Sequence, residues 1–276
     1  MEQTPVLLTV ITPVFNGIKY IKKCLDNVNS QYCDVAEHLI MDGASTDGTV
    51  QLVQEYAASH PHVRLISEPD TGQSNAMNKG LRHARGKIVG FLNVDDYYEP
   101  NVLNRVVHHF KKLPEPSFIC GNLNIWNTDG TLKHFNRPTN ISLLEILSHC
   151  YEWPYNPSAY FYHKSLHELT GPYNENNHYT MDYEFILNAA SHITLLHVDE
   201  LWGNFNMVAG SKTQEIQNQD AELSRSFGRQ LRAQFIARLS ESEKLTLEQI
   251  IEKFKNPPKE KQPPVLKLKE LFKRIF

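Results

Sequence analysis

The sequence predicts an α/β fold, a mostly parallel sheet with helices packed against it. Three observations predict it. Through the first hundred residues, short β-rich apolar runs alternate with segments of helical periodicity, the pattern of parallel strands joined by crossover helices. The strand candidates are continuous apolar runs, as for strands covered on both faces. Each of the first four ends in a polar cluster, and sheets of this kind bind ligands at the carboxyl ends of their strands.

Val6 to Ile11 is the first strand. After Gly17, residues Ile18, Ile21, Leu25 and Val28 recur at helical spacing. His38 to Met41 is the second strand and closes on Asp42-Gly43. Residues 48–58 are helical, with Val50, Val53 and Ala57 on one face. Val63 to Ile66 is the third strand, and residues 73–84 form a helix that gathers Ala76, Met77, Gly80 and Leu81. Residues 87–92 are the fourth strand. Pro100 falls where a first-turn helix proline belongs, ahead of Val102, Val106 and Phe110. In the less regular second half, residues 118–126 and 131–135 flank Asp129-Gly130 as a hairpin. A helix over 141–147 follows, then strands over 158–162 and 193–198 around a helix over 182–190. Beyond about Gln214 the pattern is helical and charged, and two Pro-Pro pairs set off a last basic segment.

The 276 residues suffice for one large α/β domain, and a formal charge of -3 gives no footprint of a nucleic-acid binder. Cys24, Cys33, Cys120 and Cys150 form no C-x-x-C pair and read as reduced thiols, as in a cytosolic protein. No run approaches the roughly 20 apolar residues that span a bilayer. The apolar start has acidic Glu2 before it and Pro13 within it, so it reads as a strand rather than a signal peptide.

The polar clusters carry the chemistry. Asp95 and Asp96 close a buried strand, where adjacent carboxylates are costly unless a cation or hydrogen-bonded ligand neutralises them. Mg²⁺ and Mn²⁺ are commonly shared between carboxylates and substrate phosphates, so the functional reading is a metal–diphosphate site; on the dipeptide alone a solvated turn, or helix-capping carboxylates ahead of Pro100, is the better reading. Asp42 to Thr49 is a turn and helix start with Asp47 as N-cap, and Asp42 is an acceptor for a ribose or nucleobase. Asp70 precedes a helix begun by Gly72. Asn78 and Gly80 are poor helix formers, which a side-chain contact or a close backbone approach would explain.

Taken together, Ile11-Thr12-Pro13-Val14-Phe15-Asn16, Asp42-Gly43-Ala44-Ser45-Thr46-Asp47-Gly48-Thr49, Glu68-Pro69-Asp70-Thr71-Gly72 with Ala76-Met77-Asn78-Lys79-Gly80, and Phe91-Leu92-Asn93-Val94-Asp95-Asp96 resemble glycosyltransferase family 2 in order and spacing. The resemblance covers about residues 6–213. It implies a GT-A (Rossmann-like) fold, a nucleotide-sugar donor, a divalent metal (Mn²⁺ or Mg²⁺) and inversion at the anomeric carbon. Residues 1–112 would be the donor half, 113–213 the acceptor half and 214–276 a helical C-terminal extension. By position, Pro13, Phe15 and Asn16 would line the nucleoside pocket and Asp42 would face base and ribose. Asp70, Asn78 and Asn93 would lie near the donor. Asp95 would be the final carboxylate of the family's D-x-D motif, binding diphosphate and metal. Asn93 stands where many members have the first Asp, which leaves open whether Asp95 or Asp96 holds the metal.

Thr180-Met181-Asp182-Tyr183-Glu184-Phe185 resembles the segment that opens a helix under the acceptor. By resemblance Asp182 is the general base, with Glu184 as the second candidate; a helix cap is the structural alternative for Asp182. Trp153 and Tyr155, before the following strand, are candidate acceptor contacts. One departure is Val208, where many relatives carry a His; Lys212 nearby is a candidate phosphate partner. Residues 266–276 alternate apolar and basic, suiting either an anionic membrane surface or a helix docked on the domain or a second copy. The expected protein is a cytoplasmic enzyme, peripheral on the inner membrane face. It would transfer a sugar, with UDP as the expected carrier, to a saccharide or lipid-linked saccharide in surface glycan synthesis. The competing reading is a degenerate domain that binds nucleotide as a scaffold subunit.

Overall fold

The computed structural model describes residues 5–208 and 221–256. The strands are β1 (Leu8–Val14), β2 (Ala36–Asp42), β3 (Val63–Ser67), β4 (Ile88–Phe91), β5 (Tyr97–Tyr98), β6 (Phe118–Trp126), β7 (Leu132–Asn136), β8 (Tyr160–His163) and β9 (Leu195–Asn206). The helices are α1 (Ile21–Asn29), α2 (Thr49–Ser59), α3 (Gln73–His83), α4 (Val102–Phe110), α5 (Leu143–Ser148), α6 (His167–Thr170), α7 (Met181–His192), α8 (Ala221–Arg238) and α9 (Glu241–Lys255).

All nine strands form one sheet in the order β3-β2-β1-β4-β8-β6-β9-β5, with β7 also on β6. The first four in this order are mutually parallel, so their carboxyl ends share one edge. β8 then enters antiparallel between β4 and β6, and β9 runs parallel to β6. The sheet is thus parallel from β3 to β4 and mixed beyond it. β2 and β4 are buried throughout, as their unbroken apolar runs require.

Several boundaries move. Ile18 precedes α1 and is 39% exposed, so the buried stripe is Ile21, Cys24, Leu25 and Val28. Pro100 stands two residues before α4, separated from it by Asn101 in the left-handed region. The final strand runs on to Asn206 because it pairs with both β5 and the full length of β6. All four cysteines are free thiols, and burial pushes Cys24 up to about 12. Leu231 and Phe235 of α8 and Leu247 of α9 join the same apolar cluster as Ile146 of α5 and Phe185 of α7, so these C-terminal helices pack on the domain's core. A capping box between Ser240 and Glu243 sets the start of α9. Among the described residues no helix is long and apolar enough to cross a membrane. The basic tail and Lys212 lie outside the described residues.

Candidate active site

At the carboxyl end of β1 the Phe15 ring is 66% exposed, an unusual position for a large apolar side chain. Asn16 takes a left-handed conformation, φ 50°, and laces this loop to the one after β2. Its N–H donates to Ser45 Oγ (2.7 Å), and its Oδ1 accepts from the Thr46 N–H (2.9 Å). Asp47 accepts from the N–H groups of Ile18 and Thr49, both at 3.0 Å. The N-cap itself is Gly48, one residue later than expected, in the left-handed region at φ 98°.

Asp42, at the end of β2, is 2% exposed. Its Oδ2 accepts from the Ser45 N–H (2.9 Å) and the Ser67 hydroxyl (2.7 Å). Its Oδ1 is buried and has no hydrogen-bond partner among the described residues. Buried acceptors are almost always satisfied, so an unpartnered one stands out. Asp70 accepts from the Gly72 N–H (2.8 Å), and its Oδ2 lies so near Gly43 that a Cβ there would stand 2.5 Å away. The small residue after Asp42 therefore lets the loops after β2 and β3 touch.

The turn after β4 is closed by the Asp96 N–H donating to the Asn93 carbonyl at 3.0 Å. Its two carboxylates have different surroundings. Asp96 is 3% exposed and accepts Asn93 Nδ2 (3.0 Å) and Asn156 Nδ2 (2.9 Å) on Oδ2, and the Asn206 N–H (3.0 Å) on Oδ1. The half-buried Asp95 carboxylate accepts no hydrogen bond from another described residue, although its main-chain carbonyl takes Asn206 Nδ2 at 2.6 Å. Burial raises both above the usual carboxylate range, and the charge of Asp95 pushes Asp96 further. Asn93 also accepts Gln73 Nε2 (3.1 Å), which ties the turn to α3.

Asp182 is the second residue of α7, and the N-cap position belongs to Thr180. The Tyr160 hydroxyl donates to Asp182 Oδ1 at 3.0 Å. Glu184 is engaged by the amides of Asn174 (3.3 Å) and Asn177 (2.7 Å), so it braces the loop before α7. That loop is stitched to α3. Asn78 Nδ2 donates to the Tyr173 carbonyl (2.9 Å), and Asn78 Oδ1 accepts the Tyr173 N–H (2.9 Å). Asn75 reaches Glu175 (2.8 Å) and Ser74 reaches the Met181 sulfur (2.8 Å). Thus Asn78 sits in the helix for its contact with the chain before Asp182. Gly80 is there for close approach, since a Cβ would meet Ile11 Cγ2 at 2.5 Å.

Trp153 is corrected as an acceptor contact. It is 5% exposed, in the core against Tyr155 and Tyr183 at 5.1 and 5.0 Å between ring centroids, and presents no open face for a sugar. Tyr155 is half-buried between two apolar clusters. Val208 is half-buried just beyond β9. Sequence reasoning missed Asn156, Asn206 and Tyr160, which fix Asp96, the Asp95 carbonyl and Asp182. Each lies within or beside a segment that stood out for other reasons, but polar residues in β-rich runs carry no signal of which carboxylate they will meet.

The chain matches the glycosyl transferase family 2 model over residues 9–177. It is a member of glycosyltransferase family 2. The chain is 27% identical over 232 residues to a chondroitin synthase of Escherichia coli, covering 80% of this chain and 32% of that protein. A chondroitin synthase of Pasteurella multocida is 25% identical over 235 residues, covering 80% of this chain and 22% of that protein. The family 2 chain thus spans about a third and about a fifth of their lengths. Among solved structures, S. aureus TarS 1–349 in complex with UDP-GlcNAc superposes with a TM-score of 0.68 at 19% identity, over 91% of this chain and 72% of TarS 1–349. The Pyrobaculum calidifontis mannosyltransferase PcManGT, in complex with GDP-Man and Mn²⁺, gives 0.61 at 19% identity, over 93% and 73%. The chain accordingly has the GT-A fold.

Proposed function

We propose that this glycosyltransferase moves a sugar from a UDP-sugar to an acceptor hydroxyl with inversion at the anomeric carbon, in the synthesis of a surface polysaccharide or glycolipid. One observation carries the reading. The donor motifs gather on one sheet edge, and α3 stitches that edge to the chain leading into Asp182. The chondroitin synthase relatives and the UDP-GlcNAc complex of TarS support the polymer role and the carrier.

Phe15 offers an exposed ring for a base to stack on, and the unpartnered Oδ1 of Asp42 is an acceptor for a ribose hydroxyl or a base N–H. Among the described residues no group of three His, Cys, Asp or Glu gathers to hold an ion. The Asp95 carboxylate nevertheless fits Mn²⁺ or Mg²⁺. Among the described residues it is an unengaged oxygen donor, it stands beside the buried Asp96 carboxylate, and such ions bind through one or two carboxylates plus substrate phosphates. When bound, the ion offsets charge on the departing diphosphate. Asp182, oriented by the Tyr160 hydroxyl, takes the proton of the attacking acceptor hydroxyl. Inversion requires this base on the face of the sugar opposite the diphosphate.

Calorimetric titration with UDP, GDP and dTDP, each with and without Mn²⁺, tests the donor reading. UDP binding that requires Mn²⁺ is the expected result; binding of none of the three overturns it.

A further inference from the structure

We infer that Asp96 is a positioning residue rather than a metal ligand, and that Asn156 and Asn206 act through it to hold the Asp95 turn in register between the two halves of the molecule. The inference rests on the donor reading above and assigns its neighbouring groups.

The three Asp96 partners come from separate parts of the chain. Asn93 lies in the same turn, Asn156 is 60 residues away before β8, and Asn206 is 110 residues away at the end of β9. Among the described residues no Lys or Arg reaches Asp96, and neutral amides and a backbone N–H satisfy it. Such bonds to both oxygens of a buried carboxyl group are directional, so they fix its rotamer and its turn.

Asn156 cannot turn over to relax the contact. Its Oδ1 already accepts the Ser158 N–H (2.8 Å) and hydroxyl (2.6 Å), which leaves only its NH₂ facing Asp96. Ser158 in turn packs against Gly203 of β9, where a Cβ would stand 2.7 Å from the Ser158 carbonyl carbon. Asn206 holds the turn twice, through its N–H on Asp96 and its amide on the Asp95 carbonyl. With the backbone and Asp96 both held, the Asp95 carboxylate is the group left to meet a ligand.

The test is a swap of carboxylate and amide. Asp96→Asn alone sets an NH₂ against a donor, the Asn156 amide in one orientation and the Asn206 N–H in the other, and Asn156→Asp alone turns a carboxylate toward Asp96. In the double variant one amide and one carboxylate again face each other, and the Asn93 and Gln73 amides are able to turn over to match. Mn²⁺-dependent UDP binding is read by calorimetry and thermal denaturation is read alongside it. Each single change is expected to weaken binding about tenfold or more, and the double variant to return to within about threefold of the native chain. A folded double variant that binds as poorly as Asp96→Asn overturns the inference, because a metal ligand needs its charge at position 96. If the single variants do not fold, recovery of both fold and binding in the double variant supports it, and recovery of fold without binding overturns it. If the native chain binds no nucleotide, the donor reading fails; the clamp is then judged by whether the double variant recovers the melting temperature lost by the single ones.

Discussion

At the scale of single residues, Asp95 and Asp182 are expected to separate binding from chemistry. Asp95→Asn should abolish the Mn²⁺-dependent part of UDP binding, and transfer with it. Asp182→Asn should leave nucleotide binding unchanged and lower kcat by about 10²–10⁴, the usual contribution of a positioned base. Titration and transfer assays on both variants check this; loss of UDP binding in Asp182→Asn would contradict the role of base. Both candidates stood out in the sequence because their motifs are contiguous. The different surroundings of Asp95 and Asp96 did not. They depend on Asn156 and Asn206, and no local pattern announces that a distant amide will reach one carboxylate while its neighbour accepts no hydrogen bond from another described residue.

At the scale of elements, α3 links the sheet edge of the proposed donor site to the chain that leads into the proposed base, Asp182. Its two poor helix formers mark the two jobs it does: Asn78 bridges the backbone at Tyr173, and Gly80 lets the helix press on Ile11 of β1. Gly80→Ala would gain up to about 1 kcal/mol of helix propensity. The new Cβ, 2.5 Å from Ile11 Cγ2, opposes this with an overpacking cost of about 1–3 kcal/mol. The clash should win, and urea denaturation should show a lower midpoint; an unchanged or higher midpoint would mean that α3 shifts freely on the sheet. The helical periodicity of α3 was plain from sequence, and so was the oddity of these two residues. The partners were not, because Tyr173 is 95 residues away in a loop.

At the scale of the whole molecule, the buried sheet fixes how stability responds to acid. His38 in β2 is fully buried; its Nε2 lies 2.9 Å from the Thr12 hydroxyl and its Nδ1 has no partner among the described residues. Burial, and then the neighbouring His62, lowers it from 6.5 to about 3. Below pH 6.5 the unfolded chain takes up a proton that the folded chain refuses. Stability present above that pH is therefore lost as it falls, by up to about 1.4 kcal/mol per pH unit from this ring. Urea denaturation at pH 7, 6 and 5 should show the loss, and His38→Gln should flatten the slope whatever it does to its height. The parallel half of the sheet could be read directly, since strand–helix alternation constrains it tightly. The mixed half could not, because β8 reaches its place between β4 and β6 only through long-range pairing, and β5 is two residues long.

The Asp96 clamp also bears on how the protein ages. Asparagine most often becomes aspartate when the following backbone nitrogen attacks the side-chain amide, a reaction that needs an N–H. At position 156 that conversion would set a new negative charge against Asp96. The next residue is Pro157, which has no N–H to start the attack. The Asn156 amide is thus shielded from the commonest spontaneous damage to its kind, a protection that Asn93 before Val94 and Asn206 before Met207 do not share.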